Sequence, residues 1–280
     1  MKNLKGMTVL LIVMVFLTAC GGNATSKTDV QEKENILRVG MECGYPPYNW
    51  TQQDDSNGAV EIEGSSEFAG GYDVELAKKV ADALGKKLVV VKTEWDGLPP
   101  AVQSDKIDMI MAGMSPTAQR AEVIDFTEPY WVSDYVMIVR NDSKYVNATS
   151  ISDFKDAKVT AQLNTVHYEI IDQIDGVLKQ EPMENFTQLR VALQSGVIDA
   201  YIGEVPEGKS VEAVMPDFKM VKFEDGNGFV VKDNENRIAA GLKKGNDELK
   251  TKANEVFSAI TEEERQQIMD MAIKNQPAMN

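Results

Sequence analysis

Apolar positions along the chain follow two spacings. Leu37–Met41 reads as a short strand, and Val74, Ala77, Val80, Ala81 and Leu84 then share one face of a helix. Gly70-Gly71-Tyr72-Asp73 opens that helix with Asp73 as its cap, and Gly85 stops it. Lys87–Lys92 makes the next strand, so the three predict a β-α-β unit with a right-handed crossover. Pro99 and Pro100 suit the first turn of a further helix.

That helix leads into Ala101–Arg120, a stretch the chain uses twice. Ala192–Glu204 repeats it: Ala101/Ala192, Gln103/Gln194, Ser104/Ser195, Ile107/Ile198 and Asp108/Asp199 are identical pairs. Both copies read as a helix end, a polar turn and a short apolar run, Met109–Ala112 in one and Ala200–Ile202 in the other. Such a run suits a strand buried in a parallel sheet. Two similar α/β lobes follow, each a mixed, mostly parallel sheet flanked by helices. Gly113 and Glu204 then stand at equivalent strand C-terminal ends, the edge where open α/β sheets bind ligands. Two such edges facing each other make a cleft.

Between and after the copies come strands at Tyr135–Val139 and Lys158–Gln162, a helical stretch at Thr165–Ile174, and a final helical region at Glu235–Lys274. Lobe one is expected over 35–131 plus 230–280 and lobe two over 132–229. The chain crosses between them near Trp131–Asp134 and near Phe229–Lys232, and paired crossings act as a hinge that closes over a ligand.

The N-terminus adds a destination. Lys2 and Lys5 precede the apolar run Met7–Leu17, too short to span a bilayer and laid out as a secretory signal. Leu17-Thr18-Ala19-Cys20 resembles the bacterial lipobox. That resemblance implies removal of 1–19, a lipid on Cys20, a flexible tether over 20–34, and a protein held outside the cytoplasm, on the outer face of a Gram-positive cell membrane. About 260 residues then remain, enough for two domains with real cores. The net charge of −15 argues against nucleic acid or anionic lipid surface as partner. Cys43 is left without a partner and reads as a small buried hydrophobe.

From Leu37 onward the residues resemble the amino-acid-binding type II solute-binding proteins of ABC importers. The resemblance rests on VGMECGYPPYNW, GGYDVELAKKVADALGKKL, WDGLPPAVQSDKIDMIMAGMSPTAQR with IDFTEPYW, VTAQLNT, and IDAYIGEVPEG, in this order. It implies the type II periplasmic-binding-protein fold. It also implies capture of a free amino acid by a monomer that needs no cofactor, and delivery to a membrane permease driven by a separate ATPase.

The same resemblance assigns roles. Arg120 clamps the ligand carboxylate, which a planar guanidinium matches and a lysine does not. Ser115 helps hold it, and Thr165 with the Val166 N–H closes on it from lobe two. Gly113 offers a backbone carbonyl to the ligand ammonium, and Glu204 stands where relatives carry an Asp for the same group. Asn164 replaces a usual Gly, which makes its loop less permissive. Glu42 faces a cationic side chain flanked by the rings of Tyr45 and Trp95, worth about 0.5–2 kcal/mol per ring by cation–π attraction. Gln162 contributes an amide. Met114 packs its turn first and lines the pocket second, like Met109 and Met111 on their strand. His167 is expected on a helix surface. The expected ligand is arginine or lysine, with glutamine or another neutral polar amino acid as the alternative.

Catalytic constellations are missing from the sequence: it has no HExxH, CxxC, phosphate loop or G-x-S-x-G, and one histidine cannot build a His-rich metal site. The chain is therefore read as no enzyme. A dehydratase on the same fold, using Glu42 or Glu204 as a general acid, is the enzyme alternative, and surface display without capture is a third reading.

Overall fold

The apolar runs build two five-stranded sheets. The computed structural model describes residues 35–232 and 235–278. The signal, tether and Cys20 expectations lie outside these residues. β1 (Ile36–Met41) leads into a small antiparallel sheet of β2 (Gly44–Tyr45), β3 (Asn49–Gln52), β4 (Val60–Glu61) and β5 (Phe68–Gly70). α1 (Tyr72–Leu84) buries Val74, Leu76, Ala77, Val80 and Ala81 and ends at Gly85, whose φ of 64° suits a residue without Cβ. β6 (Lys87–Lys92), α2 (Leu98–Gln103), β7 (Met109–Ile110), α3 (Ala118–Ala121), β8 (Asp125–Phe126) and β9 (Trp131–Val132) follow. β1 is parallel to both β6 and β7, as the β-α-β pattern requires.

The second sheet takes β10 (Tyr135–Arg140), β11 (Lys158–Thr160), β12 (Leu178–Lys179), β13 (Ala200–Glu204) and β14 (Phe218–Val221) in the order β12–β11–β13–β10–β14. Its helices are α4 (Val166–Glu169), α5 (Phe186–Gln194) and α6 (Val205–Val214). β15 (Arg237–Ile238), β16 (Gly241–Leu242), α7 (Asp247–Ala259) and α8 (Glu262–Asn275) end the described chain. β16 returns to the first sheet, antiparallel between β7 and β8. Each large sheet is thus parallel on one side and antiparallel on the other. Among the described residues no helix is long and apolar enough to cross a membrane.

The sequence repeat is a structural repeat down to single hydrogen bonds. Ser104 and Ser195 each donate their hydroxyl to a carbonyl four residues back, Pro100 and Val191, at 2.8 Å in both. Asp105 and Gly196 each turn the chain with positive φ. Ile107 and Ile198 are then buried, and Asp108 and Asp199 each accept a backbone N–H of the neighbouring strand, Arg38 within β1 and Lys158 at the start of β11, at 2.8 Å. These identical residues seat β7 beside β1 and β13 beside β11.

Three local expectations change. Glu235–Lys274 is not one helical region, because Ile238, Ala239, Ala240 and Leu242 are buried as two short strands before α7 begins. Thr165–Ile174 is a four-residue helix tightened into a 3₁₀ turn at Ile170–Gln173, where two adjacent β-branched residues disfavour a longer helix. β9 and β15 pair as an antiparallel ribbon, so the second crossing runs at Arg237–Ile238 rather than Phe229–Lys232. Phe229 and Val231 still pack on the second core. Asp108→Ala and Asp199→Ala should each lower stability by about 1–3 kcal/mol, since each leaves a strand N–H unpaired. Urea unfolding of the two variants checks this, and similar losses are expected from both.

Candidate functional site

The lobe-one wall of the cleft hangs on one buried carboxylate. The sequence pattern makes Asp73 a helix cap. In the structure Gly71 takes the N-cap position without side-chain help, and Asp73 turns inward instead, fully buried. Tyr130 donates its hydroxyl to Oδ1 at 2.7 Å, Asn49 donates Nδ2–H to Oδ2 at 2.9 Å, and the Gly113 N–H adds a backbone bond. Asn49 in turn accepts the Cys43 N–H at 2.8 Å. Burial pushes Asp73 up to about 7, with the three donors pulling the other way. Cys43 is a buried packing residue as expected, its thiol pushed up to about 12 chiefly by burial.

This network sets Tyr45 and Gly113 against each other. Gly113 has φ 63°, and a Cβ there would stand 3.0 Å from Tyr45 Cε1, so the turn needs glycine for both conformation and space. Tyr45 stacks on Phe186 of the other lobe, ring centroids 4.0 Å apart, and its hydroxyl is buried without a partner. Phe186 was not among the sequence candidates. The signal was available, however, because the offset that maps Ala101 onto Ala192 also maps Trp95 onto Phe186.

Arg120 sits on α3, whose N-cap Thr117 accepts the Arg120 N–H. Its guanidinium donates from Nη1 to the Ser115 carbonyl at 2.9 Å and from Nη2 to the Asn164 carbonyl at 2.8 Å. It lies 4.9 Å from the centroid of the Trp95 ring. Burial lowers its pKa to about 10, so it stays charged at neutral pH.

Asn164 makes the largest set of hydrogen bonds described between the two lobes. Its φ of 55° is the left-handed conformation that glycine supplies in the expected pattern, and asparagine tolerates it. The loop is therefore no less able to turn than expected, and the side chain is put to use. Nδ2 donates to both oxygens of Asp96 at 2.9 and 3.0 Å, and the carbonyl also accepts from Trp95 Nε1 at 3.4 Å. A second bond across the cleft runs from Gln162 Nε2 to Glu42 Oε1 at 2.8 Å. Burial, opposed by this bond and aided by the nearby charges of Glu94 and Asp96, pushes Glu42 up to about 8.

The cleft between these groups is lined by Tyr45, Trp95, Gly113, Ser115, Arg120, Gln162, Thr165 and Val166, all expected, together with Ala112, His167 and Phe186. Glu42, Met114 and Glu204 are not on that lining. Met114 is buried in the lobe-one core and its carbonyl accepts the Ala239 N–H. Thr165 uses its hydroxyl to cap α4 and to reach the Gln162 carbonyl at 2.6 Å. His167 corrects its expected place on a helix surface. With α4 only four residues long, its side chain faces inward, 8% exposed, between Tyr135 and Phe186. Asn164→Ala removes the Asp96 bonds and places a less tolerant residue at positive φ. Small-angle scattering should then show a larger radius of gyration than for the wild type, since the lobes lose the side-chain bonds to Asp96 and the turn that presents the 164 carbonyl to Arg120 is strained.

A model of the bacterial extracellular solute-binding proteins, family 3, matches residues 37–273. A probable histidine-binding protein of Campylobacter jejuni is 29% identical over 263 residues, covering 88% of this chain and 94% of that protein. The arginine-binding extracellular protein ArtP of Bacillus subtilis is 25% identical over 235 residues, covering 83% and 82%. A crystal structure of the substrate-binding protein of an amino acid ABC transporter superposes with a TM-score of 0.70 at 27% identity, covering 86% of this chain and all of that one. The architecture is the type II periplasmic-binding-protein fold. With its model matched across both sheets and the cleft between them, the chain belongs to the bacterial extracellular solute-binding proteins, family 3.

Proposed function

We propose that the chain captures a free amino acid in this cleft, with arginine or lysine as the ligand, and presents it to the permease of an ABC importer. The observation that carries the reading is a cation without a counter-ion among the described residues. Arg120 reaches into the cleft with its donors on two backbone carbonyls, and the carboxylates that act on it, Asp96 and Glu169, do so only at a distance. A ligand carboxylate offers that planar fork two stronger, charge-assisted bonds. The Ser115 carbonyl, the Gly113 turn and Thr165 surround the same spot.

The cationic preference rests on the opposite sign. Glu42 is pushed up to about 8 first by burial and then by the charges of Glu94 and Asp96, which flank Trp95. A ligand guanidinium or ammonium relieves that repulsion and returns Glu42 to its ionised form. Trp95 already lies under Arg120, and Tyr45 stacks across the lobes on Phe186, so a ligand side chain competes with this stacking for the Tyr45 face. Similarity to proteins named for arginine and histidine supports the same class. A neutral polar ligand such as glutamine is the second reading, favoured by the Gln162 amide that already satisfies Glu42. Lipid anchoring through Cys20 and docking on a permease complete the proposal. Turnover of a bound acid, the dehydratase reading, would need Glu42 or Glu204 to act on the substrate as a general acid.

The test is thermal unfolding of residues 21–280, refolded from denaturant to strip carried-over ligand, against each of the twenty amino acids. A ligand at 100 times its Kd stabilises by about 2.7 kcal/mol, a rise of several degrees. A rise confined to arginine, lysine or both is expected. A rise with glutamine alone selects the second reading, and no rise with any amino acid overturns capture. Arg120→Ala is expected to abolish every rise, whereas Glu42→Gln should remove those of cationic ligands only.

A further inference from the structure

Four polar atoms beside the cleft have no well-aligned hydrogen bond among the described residues: both ring nitrogens of His167 and both carboxyl oxygens of Glu204. They belong to two side chains that touch. His167 Nε2 and Glu204 Oε1 stand 3.1 Å apart, with side chains 8% and 3% exposed. His167 lines the cleft, whereas Glu204 does not, so the imidazole stands between the carboxyl group and any ligand. An imidazole and a carboxyl group this close cannot both present bare lone pairs, so a proton lies between them.

We infer that His167, backed by Glu204, receives the α-ammonium of the ligand, and that capture expels one proton from this pair. The inference rests on the reading that the ligand is a free amino acid.

The charges facing the pair favour its neutral form before capture. Arg120, from α3, opposes an imidazolium at His167, and burial opposes it more, holding the ring down at about 3. Glu207, from α6, opposes a carboxylate at Glu204, again behind burial, which raises that group well above its ordinary value. Glu207 is itself tied to Arg190 Nη2 of α5 at 3.2 Å and to the Tyr201 hydroxyl at 2.8 Å. On β10, Tyr135 sits opposite Glu204 in the sheet and sets its ring edge-on to His167, and burial pushes its hydroxyl up to about 12, so it stays neutral. Phe186 closes the remaining side.

In that neutral form the carboxyl O–H of Glu204 donates to Nε2, and the imidazole carries its own proton on Nδ1. An arriving ammonium needs an acceptor, which an N–H cannot supply. The carboxyl proton passes to Nε2, the Nδ1 proton leaves to solvent, and the freed Nδ1 lone pair accepts an ammonium N–H. The pair ends as carboxylate and neutral imidazole, one proton poorer, with the negative charge offset by the ligand. Because the bound state holds one proton fewer, affinity rises with pH, by about tenfold per unit, until the pair loses its proton before binding as well. Glu204 is on this view a positioning residue, and His167 is the contact.

The test is isothermal calorimetry of the wild type and Glu204→Gln with arginine, lysine, histidine and glutamine, in two buffers of different ionisation heat and at two pH values one unit apart. Glu42 can release a proton of its own for a cationic side chain, so the comparison is between the two proteins with the same amino acid. Expected is a release of about one proton fewer per ligand in Glu204→Gln, together with loss of the tenfold rise per pH unit. His167→Gln, should Glu204→Gln fail to fold, is expected to lose the same proton. Binding by the wild type with no proton release overturns the inference and leaves the receptor reading intact. Proton release undiminished in either variant, compared with the wild type and the same amino acid, overturns its assignment to this pair. No binding of any of the four by the wild type overturns the amino-acid reading, and the inference with it.

Discussion

Two pieces of lobe one that meet the cleft, the loop after β1 and the Gly113 turn, are fastened to the carboxylate of Asp73. The loop after β1, which carries Tyr45, is tied to it through Asn49 and Cys43, and the Gly113 turn is tied to it directly. Tyr130, just before the first hinge strand, completes the set. No cation balances this group among its direct partners, so its place depends on three donors arriving at once. Loss of any one leaves a buried polar atom unsatisfied at about 1–3 kcal/mol. That dependence makes the wall rigid. A wall held this way can present Gly113 to a ligand without flexing when lobe two moves.

Symmetry accounts for the frame, and asymmetry for the site. The two copies of the helix-turn-strand unit seat their strands by the same serine and aspartate bonds, so two similar sheet edges face one another. What stands on those edges differs. Lobe one supplies the guanidinium of Arg120 and the glycine turn, and lobe two supplies Asn164, His167 and the capped start of α4. Asn164 meets Arg120, Trp95 and Asp96 together, so one backbone conformation at positive φ decides whether three lobe-one residues are engaged.

The charges of the cleft are left for something else to complete. Arg120 rests on carbonyls, Glu42 on an amide, and the His167–Glu204 pair on its own shared proton. Burial moves the pKa of each of these groups toward neutrality, because water has been removed and no opposite charge has replaced it. A zwitterion with a polar side chain restores opposite charges at both ends, which is the physical basis of the reading as an amino-acid receptor.

How much of this the residues announce on their own follows from the range of each interaction. The strands, the helices α1 and α2, and the doubled turn are local: periodicity, Pro99, Pro100, Gly85 and the Ser–Asp spacing specify them without distant partners. Family motifs carried the positions of Arg120, Gly113, Tyr45 and Trp95 as well, since those residues keep their spacing in the chain. The inward turn of Asp73, the burial of His167 beside Glu204, and the fastening of Asn164 to Asp96 were decided only in three dimensions. Each joins residues far apart in sequence, through hydrogen bonds whose strength comes from exclusion of water. Periodicity reads which face of an element is apolar. Which polar side chain is buried there, and against which partner, depends on the packing of elements that the pattern treats one at a time.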